Sequence, residues 1–242
     1  GTVVLAHGYY DHMGVWRHLL AALVAADWRV VCYDQPGHGL SGGEPAAIAD
    51  FQTYVEVLDG IVGFAAERFP GDLQVVGHSM GAGVAADWLL QERGTAAGRV
   101  VLLAPLFHSS AWGLSRFGHT VAGQWFRAMP RKYRRNSGDA DYLAFVRADP
   151  LQYGTLPASW VEALGRWNRQ VAARPPSQRP LLVLQGGDDT TVDWGYNLPL
   201  LERLFPRADV RLVAGARHQL LNESPSLREA VVRQVLETLA AP

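Results

Sequence analysis

The chain has 242 residues, 48% of them hydrophobic, and a formal net charge of −1. That is enough apolar chain for one large core, and it excludes both a disordered polymer and a basic nucleic-acid-binding protein. The single cysteine, Cys32, lies in an apolar run and permits no intrachain disulfide.

Residues 2–6 form a short apolar run and read as a buried strand. Val15, Trp16, Leu19, Leu20, Leu23 and Val24 then recur at helical spacing, and residues 29–33 read as a second strand. Asp50 can cap a helix whose apolar face carries Phe51, Tyr54, Val55, Leu58, Ile61 and Val62. Residues 73–76, 100–103, 181–184 and 209–213 read as four further strands. A helix is expected near residues 198–204, and a last amphipathic one carries Leu227, Val231, Val235, Leu236 and Leu239. Strands alternating with helices predict an α/β fold, a mostly parallel open sheet with helices on both faces.

Residues 107–179 break that alternation. They hold no buried-strand run but many aromatics, including Trp112, Phe117, Trp125, Phe126, Tyr142, Trp160 and Trp167, and they end at Pro175-Pro176. This stretch reads as a helical cap inserted between core segments 1–106 and 180–242, over the carboxyl ends of the strands, where open α/β sheets bind ligands. Its aromatics suit an apolar acyl chain, although packing of cap on core accounts for part of them. The basic run Arg127, Arg131, Lys132, Arg134 and Arg135 suits anionic head groups, against the plainer reading of a solvated loop. No apolar run is long enough to span a bilayer and no leader pattern opens the sequence. A cytoplasmic protein is expected, with membrane contact peripheral and through the cap.

Gly77-His78-Ser79-Met80-Gly81 follows an apolar run and precedes a small-residue segment. A G-x-S-x-G turn between strand and helix presents its Ser as a nucleophile on a strained elbow. A serine hydroxyl needs a base, and the base needs an orienting carboxylate, which follow such an elbow in the order acid, then His. Three acids compete after the fifth strand: Asp188, Asp189 and Asp193. Asp189 is best placed, with Gly186 three before it and Val192 three after it to anchor the loop, while Asp193 suits a helix cap. Of eight histidines, His218 stands on the loop after the last strand, where the base belongs. The backbone N–H groups of Met80 and Tyr9 are the candidate oxyanion donors. Tyr10, His78, Trp112, Phe117 and Val192 are candidate pocket residues, and the Tyr9 ring is an alternative one. His7 and His78 are expected to hold the loop and pack at the elbow. The Gly-rich loop with Asp34, Gly37, His38, Gly39 and Ser41 lacks the Lys-Ser/Thr ending of a phosphate cradle and reads as a structural turn.

Together these residues resemble the α/β-hydrolase superfamily, and within it the monoacylglycerol lipase and lysophospholipase branch of serine aminopeptidase-like hydrolases. The resemblance rests on His7-Gly8 with His12, Gly37-His38-Gly39-Leu40-Ser41-Gly42, residues 51–55, the elbow, residues 185–193 and residues 215–218. It implies a cap where the insertion lies, a Ser79–Asp189–His218 triad, and an oxyanion hole of the Tyr9 and Met80 amides. Members usually carry strands before the one that opens this chain, so strand 29–33 is expected at a sheet edge. The implied activity is that of a serine carboxylic-ester hydrolase, without cofactor or metal, acting on small-molecule or lipid esters such as monoacylglycerols or lysophospholipids. The alternatives are cleavage of an amide or carbon–carbon bond, or a non-enzymatic ligand receptor. A peptidase would want an acid such as Asp139, Asp141, Asp149 or Glu162 near Ser79. No oligomeric state is implied.

Overall fold

The computed structural model describes residues 1–110, 112 and 127–241. Six parallel strands form one sheet in the order β2-β1-β3-β4-β7-β8: β1 Thr2–Ala6, β2 Arg29–Cys32, β3 Leu73–His78, β4 Val100–Leu103, β7 Leu181–Gly186 and β8 Ala208–Val213. Two short strands, β5 Ala128–Pro130 and β6 Thr155–Pro157, pair antiparallel away from it. Among the described residues the α-helices are α1 Arg17–Ala25, α2 Gln52–Arg68, α3 Met80–Leu90, α4 Ala140–Ala148, α5 Ala158–Ala172, α6 Trp194–Leu204 and α7 Pro225–Ala240.

Alternation along each strand divides the core into two layers. Val3 and Leu5, with Val76, Val101, Leu103, Leu182 and Leu184, face α1 and α7. Val4 and Ala6, with Val75, Val100, Leu102, Leu181 and Val183, face α2, α3 and α6. β1 is buried at every residue because strands flank it and helices cover both faces, whereas β2 and β8 are the edges. The chain passes from β1 outward to β2 and then crosses back to β3. The carboxyl ends of β1 and β3 therefore bound the crevice where such sheets bind ligands.

Between β4 and β7, where a helical insertion is expected, the described residues hold a small ribbon beside the helices: β5 precedes α4, and β6 lies between α4 and α5. Each of its strands is three residues long and ends in proline, too short for a period to register. α5 is strongly amphipathic, and Trp160, Val161, Leu164, Trp167 and Val171 on its apolar face join the same core layer as α2 and α3. The contact is specific as well as apolar. Asp87, the lone charge in α3 and fully buried, accepts from Trp167 Nε1 at 2.8 Å and Gln91 Nε2 at 3.1 Å, and pairs with Arg174 Nε.

Candidate active site

Ser79 stands alone between the last residue of β3 and the first of α3, at φ 53° and ψ −114°. A non-glycine residue holds that conformation only where its surroundings enforce it. Here Ser79 N–H donates to Leu103 O at 2.8 Å, while its carbonyl accepts from Leu106 N at 3.0 Å and Gly83 N at 3.1 Å. Gly81 is obligatory at the turn, because a Cβ there would run into the Ala6 carbonyl of β1.

His218, on the turn after β8, brings Nε2 to 3.0 Å from Ser79 Oγ and Nδ1 to 2.8 Å from Asp189 Oδ2. Nδ1–H donating to the carboxylate leaves the Nε2 lone pair facing the serine hydroxyl. Asp189 Oδ2 also accepts from Gln185 Nε2 at 2.9 Å, and Oδ1 accepts from Thr191 N at 2.7 Å and Val192 N at 3.2 Å. Burial pushes the Asp189 pKa up, but the charge and hydrogen bond of His218 and these donors outweigh it and hold it below the ordinary carboxylate value. Burial likewise pushes His218 down, yet Asp189 outweighs it and leaves the imidazole pKa above its ordinary value. Of the three competing acids, Asp188 is exposed, Asp193 caps α6 through the N–H of Tyr196 at 3.3 Å, and Asp189 is the one that meets His218.

The loop after β1 closes the other side of Ser79. A Cβ on Gly8 would stand 3.0 Å from Ser79 Cβ. His7 pins this loop: its Nε2 accepts from Gln35 N at 2.8 Å and its Nδ1–H donates to Gly8 O at 2.8 Å. Burial, with help from His38, lowers the His7 pKa to about 4, so the ring is neutral as those two bonds require. Met80 opens α3, so its N–H has no carbonyl one turn earlier in the helix. Tyr9 N–H makes no hydrogen bond to the described residues. Two backbone donors are thus unspent on loops that meet at Ser79.

The candidate pocket residues divide. Tyr10 lies at φ 67°, donates its hydroxyl to Thr155 O at 3.1 Å and sits under the Arg131 guanidinium. The Tyr9 ring stacks on Trp160 at 3.7 Å between centroids, and its hydroxyl donates to Ala46 O. Trp112 is nearly buried and stacks with His108, which stacks in turn on Tyr196. Val192 is buried in the main core layer and bridges Ser109, anchoring the acid loop. His78, expected either in the pocket or packed at the elbow, is buried at the elbow, at the back of the site. Its Nε2–H donates to the carbonyl of His218 at 3.1 Å, while Nδ1 faces Asp11. Phe117, Trp125 and Phe126 lie outside the described residues.

Several polar residues that shape the site carry no motif. Asp11, Asn197 and Glu223 are buried and hydrogen-bonded to loops around the triad. Asn197 Nδ2 donates to the carbonyls of Pro105 and His108 and so fixes the loop after β4. Among the described residues no group of three or more His, Cys, Asp or Glu could hold a metal ion.

Residues 1–225 match the family described as serine aminopeptidase, S33. A monoacylglycerol lipase of Mycolicibacterium smegmatis is 30% identical over 233 residues, covering 92% of this chain and 82% of that protein. Human monoglyceride lipase is 27% identical over 247 residues, covering 96% of this chain and 80% of that protein. A soluble variant of the Saccharomyces cerevisiae monoglyceride lipase, solved with a substrate analogue, superposes with a TM-score of 0.86 at 18% identity, over 99% of this chain and 86% of that one.

Proposed function

This chain belongs to the serine aminopeptidase (S33) family of α/β-hydrolases, and on that premise we propose that it is a serine carboxylic-ester hydrolase whose catalytic residues are Ser79, His218 and Asp189. One observation carries the assignment of residues: the unbroken hydrogen-bond chain from Ser79 Oγ through His218 to Asp189. Ser79 Oγ attacks the ester carbonyl as His218 Nε2 takes its proton. The imidazolium then protonates the departing alcohol, leaving an acyl group on Ser79. Water, deprotonated by the same Nε2, attacks the acyl carbon; the bond to Oγ then breaks, the imidazolium returns its proton to Ser79 Oγ, and the acid is freed. Asp189 keeps the proton on Nδ1 and stabilises the imidazolium throughout. The oxyanion of each tetrahedral intermediate is received by the N–H groups of Tyr9 and Met80.

The substrates are monoacylglycerol- or lysophospholipid-like esters. The names of the relatives support this reading, as does the apolar and aromatic make-up of the segment between β4 and β7, which we take as a cap over residues 107–179. A peptidase reading is disfavoured by what the acids of that segment do. Asp139 caps α4 and pairs with Arg228, Asp149 accepts from His12 Nε2 at 2.7 Å, and Glu162 stands one turn from Arg166. Asp139 and Asp149 are thereby taken by partners within the protein, and Asp141 is exposed in the first turn of α4. No described helix is long and apolar enough to cross a membrane, and contact with lipid is peripheral, through the cap.

Labelling with a fluorophosphonate probe and turnover of p-nitrophenyl butyrate test the assignment. Both are expected in the wild type and absent in folded Ser79→Ala. Turnover retained by that variant overturns it. Rates over monoacylglycerols, lysophospholipids and amino-acid amides test the substrate class.

A further inference from the structure

Segment 134–138, between β5 and α4, lies across the two loops that carry Asp189 and His218. On the acid side, Arg134 Nη1 donates to the carbonyl of Thr190, the residue after Asp189, and to Ser110 Oγ at 2.6 Å. On the base side, Gln219 N–H, next to His218, donates to Asn136 O at 2.9 Å. Ser137 Oγ donates to Asn222 O at 2.6 Å, and Ser137 is fully buried.

The strap also meets the Glu223 carboxylate, which is fully buried. Its Oε1 accepts from Arg217 N–H, just before His218, at 2.8 Å. Its Oε2 accepts from Gly138 N–H at 2.7 Å and from Ser224 N–H at 3.3 Å. A side chain on Gly138 would place its Cβ 2.6 Å from Oε2, so the present approach of strap to carboxylate could be kept only if the carboxylate shifted. Both residues flanking His218 in sequence are therefore tied to segment 134–138, one directly and one through Glu223.

We propose that Glu223 is a positioning residue for His218 and that, with segment 134–138, it makes the placement of the inserted segment a condition of triad geometry. The proposal rests on the triad reading above. It explains why a carboxylate is kept there: all three groups facing it are N–H donors, so an amide would turn its own NH2 onto one of them. It also gives the insertion a second role besides covering substrate, because displacement of the strap moves the base and acid loops together.

The test uses p-nitrophenyl butyrate, small enough to depend little on cap contacts. Glu223→Gln and Gly138→Ala are each expected to lower kcat about tenfold to a hundredfold with KM within about twofold, the effect of misplacing a catalytic group. Fluorophosphonate labelling should slow by the same factor. Because both act on one link, the double variant should be no slower than the slower single one. Wild-type kcat in folded Gly138→Ala, a rise in KM alone, or multiplicative losses in the double variant overturns the proposal. If Glu223→Gln does not fold, Arg134→Ala takes its place: a fall in kcat at constant KM supports the strap, and wild-type kcat overturns it. Ser79→Ala separates the two readings. Activity retained there defeats the triad itself, whereas an inactive Ser79→Ala beside wild-type Gly138→Ala and Glu223→Gln defeats only the strap.

Discussion

Nε2 of His218 lies 3.0 Å from Oγ of Ser79 across 139 residues of sequence. In the proposed triad the base must be neutral to accept the serine proton, so the pH at which it loses its own proton sets the acid limb of activity. Asp189 outweighs burial and raises the His218 pKa, so kcat/KM should rise with pH through a midpoint above the ordinary 6.5. Initial rates on a soluble ester between pH 5 and 9 would show it; a midpoint at or below 6.5 contradicts the balance described.

Asp189→Asn removes that charge and presents an amide to Nδ1. We expect kcat to fall about 10⁴-fold through loss of the correct tautomer, as for such triads generally. The same pair governs part of the stability. Asp189 is lowered, so its contribution is present above its unfolded value of 3.8 and fades as pH falls through its folded value. His218 is raised, so its contribution is complete below 6.5 and fades as pH rises through its folded value. The thermal midpoint of wild type should therefore exceed that of Asp189→Asn most between those limits, and the gap should narrow toward alkaline pH. A gap that widens there refutes the sign.

The backbone of Ser79 makes a separate prediction. At φ 53° and ψ −114° a side chain costs about 1–3 kcal/mol, while glycine in the same place costs about 0.5–1 kcal/mol in unfolded-state entropy. The first exceeds the second, so Ser79→Gly should be more stable than Ser79→Ala by about 1 kcal/mol, with neither active. Urea unfolding of the two inactive variants measures the difference directly; equal midpoints mean that the elbow stores no strain.

What could be read beforehand was local. Val3 and Leu5 against Val4 and Ala6 alternate within one strand, and Gly77 to Gly81 is one turn, so sheet and elbow are written in contiguous residues. Asp189 could be placed because its loop has to turn back on itself between Gly186 and Val192. The rest depends on long-range partners. Glu223 looks like a solvated residue ahead of Pro225, yet it is buried because Gly138, 85 positions earlier, reaches it. His78 stands beside Ser79 in sequence, but its ring is taken up by the carbonyl of His218 and by Asp11, each brought to it by the fold. Asp87 did leave a trace, a single acid in the otherwise apolar run of α3, which could be buried only with partners.

Those partners make Asp87 the stability hinge between α3 and α5. Arg174→Ala leaves the fully buried carboxylate with only the neutral donors of Trp167 and Gln91. Breaking a buried pair from one side costs about 3–5 kcal/mol, less here for those remaining donors, so about 3 kcal/mol is expected. The exposed pair Arg211–Asp209 should yield under about 1 kcal/mol on Arg211→Ala. Denaturant midpoints for the two variants should differ clearly; similar values mean that Arg174 is not needed to hold the charge.

The basic run gives the last prediction. Arg131 is spent within the protein, lying over Tyr10 and donating to Gln152 Oε1 at 2.7 Å, and Arg134 belongs to the strap. Arg127, Lys132 and Arg135 are exposed and left to face a surface, beside the exposed ring of Tyr133. Each cation near an anionic leaflet contributes about 1 kcal/mol, so replacing all three with glutamine should weaken binding to phosphatidylserine-rich vesicles by about 10²-fold. Binding should weaken with salt in the wild type, because the attraction is screened. Hydrolysis of a soluble p-nitrophenyl ester should not change: Arg127 and Lys132 lie outside the strap, and the Arg135 side chain, though within it, is exposed and takes no part in its hydrogen bonds. Vesicle sedimentation at two ionic strengths, run beside the soluble assay, separates the outcomes: unchanged binding in the triple variant removes this face as the contact with lipid, and lost soluble activity shows that the side chains serve the site instead.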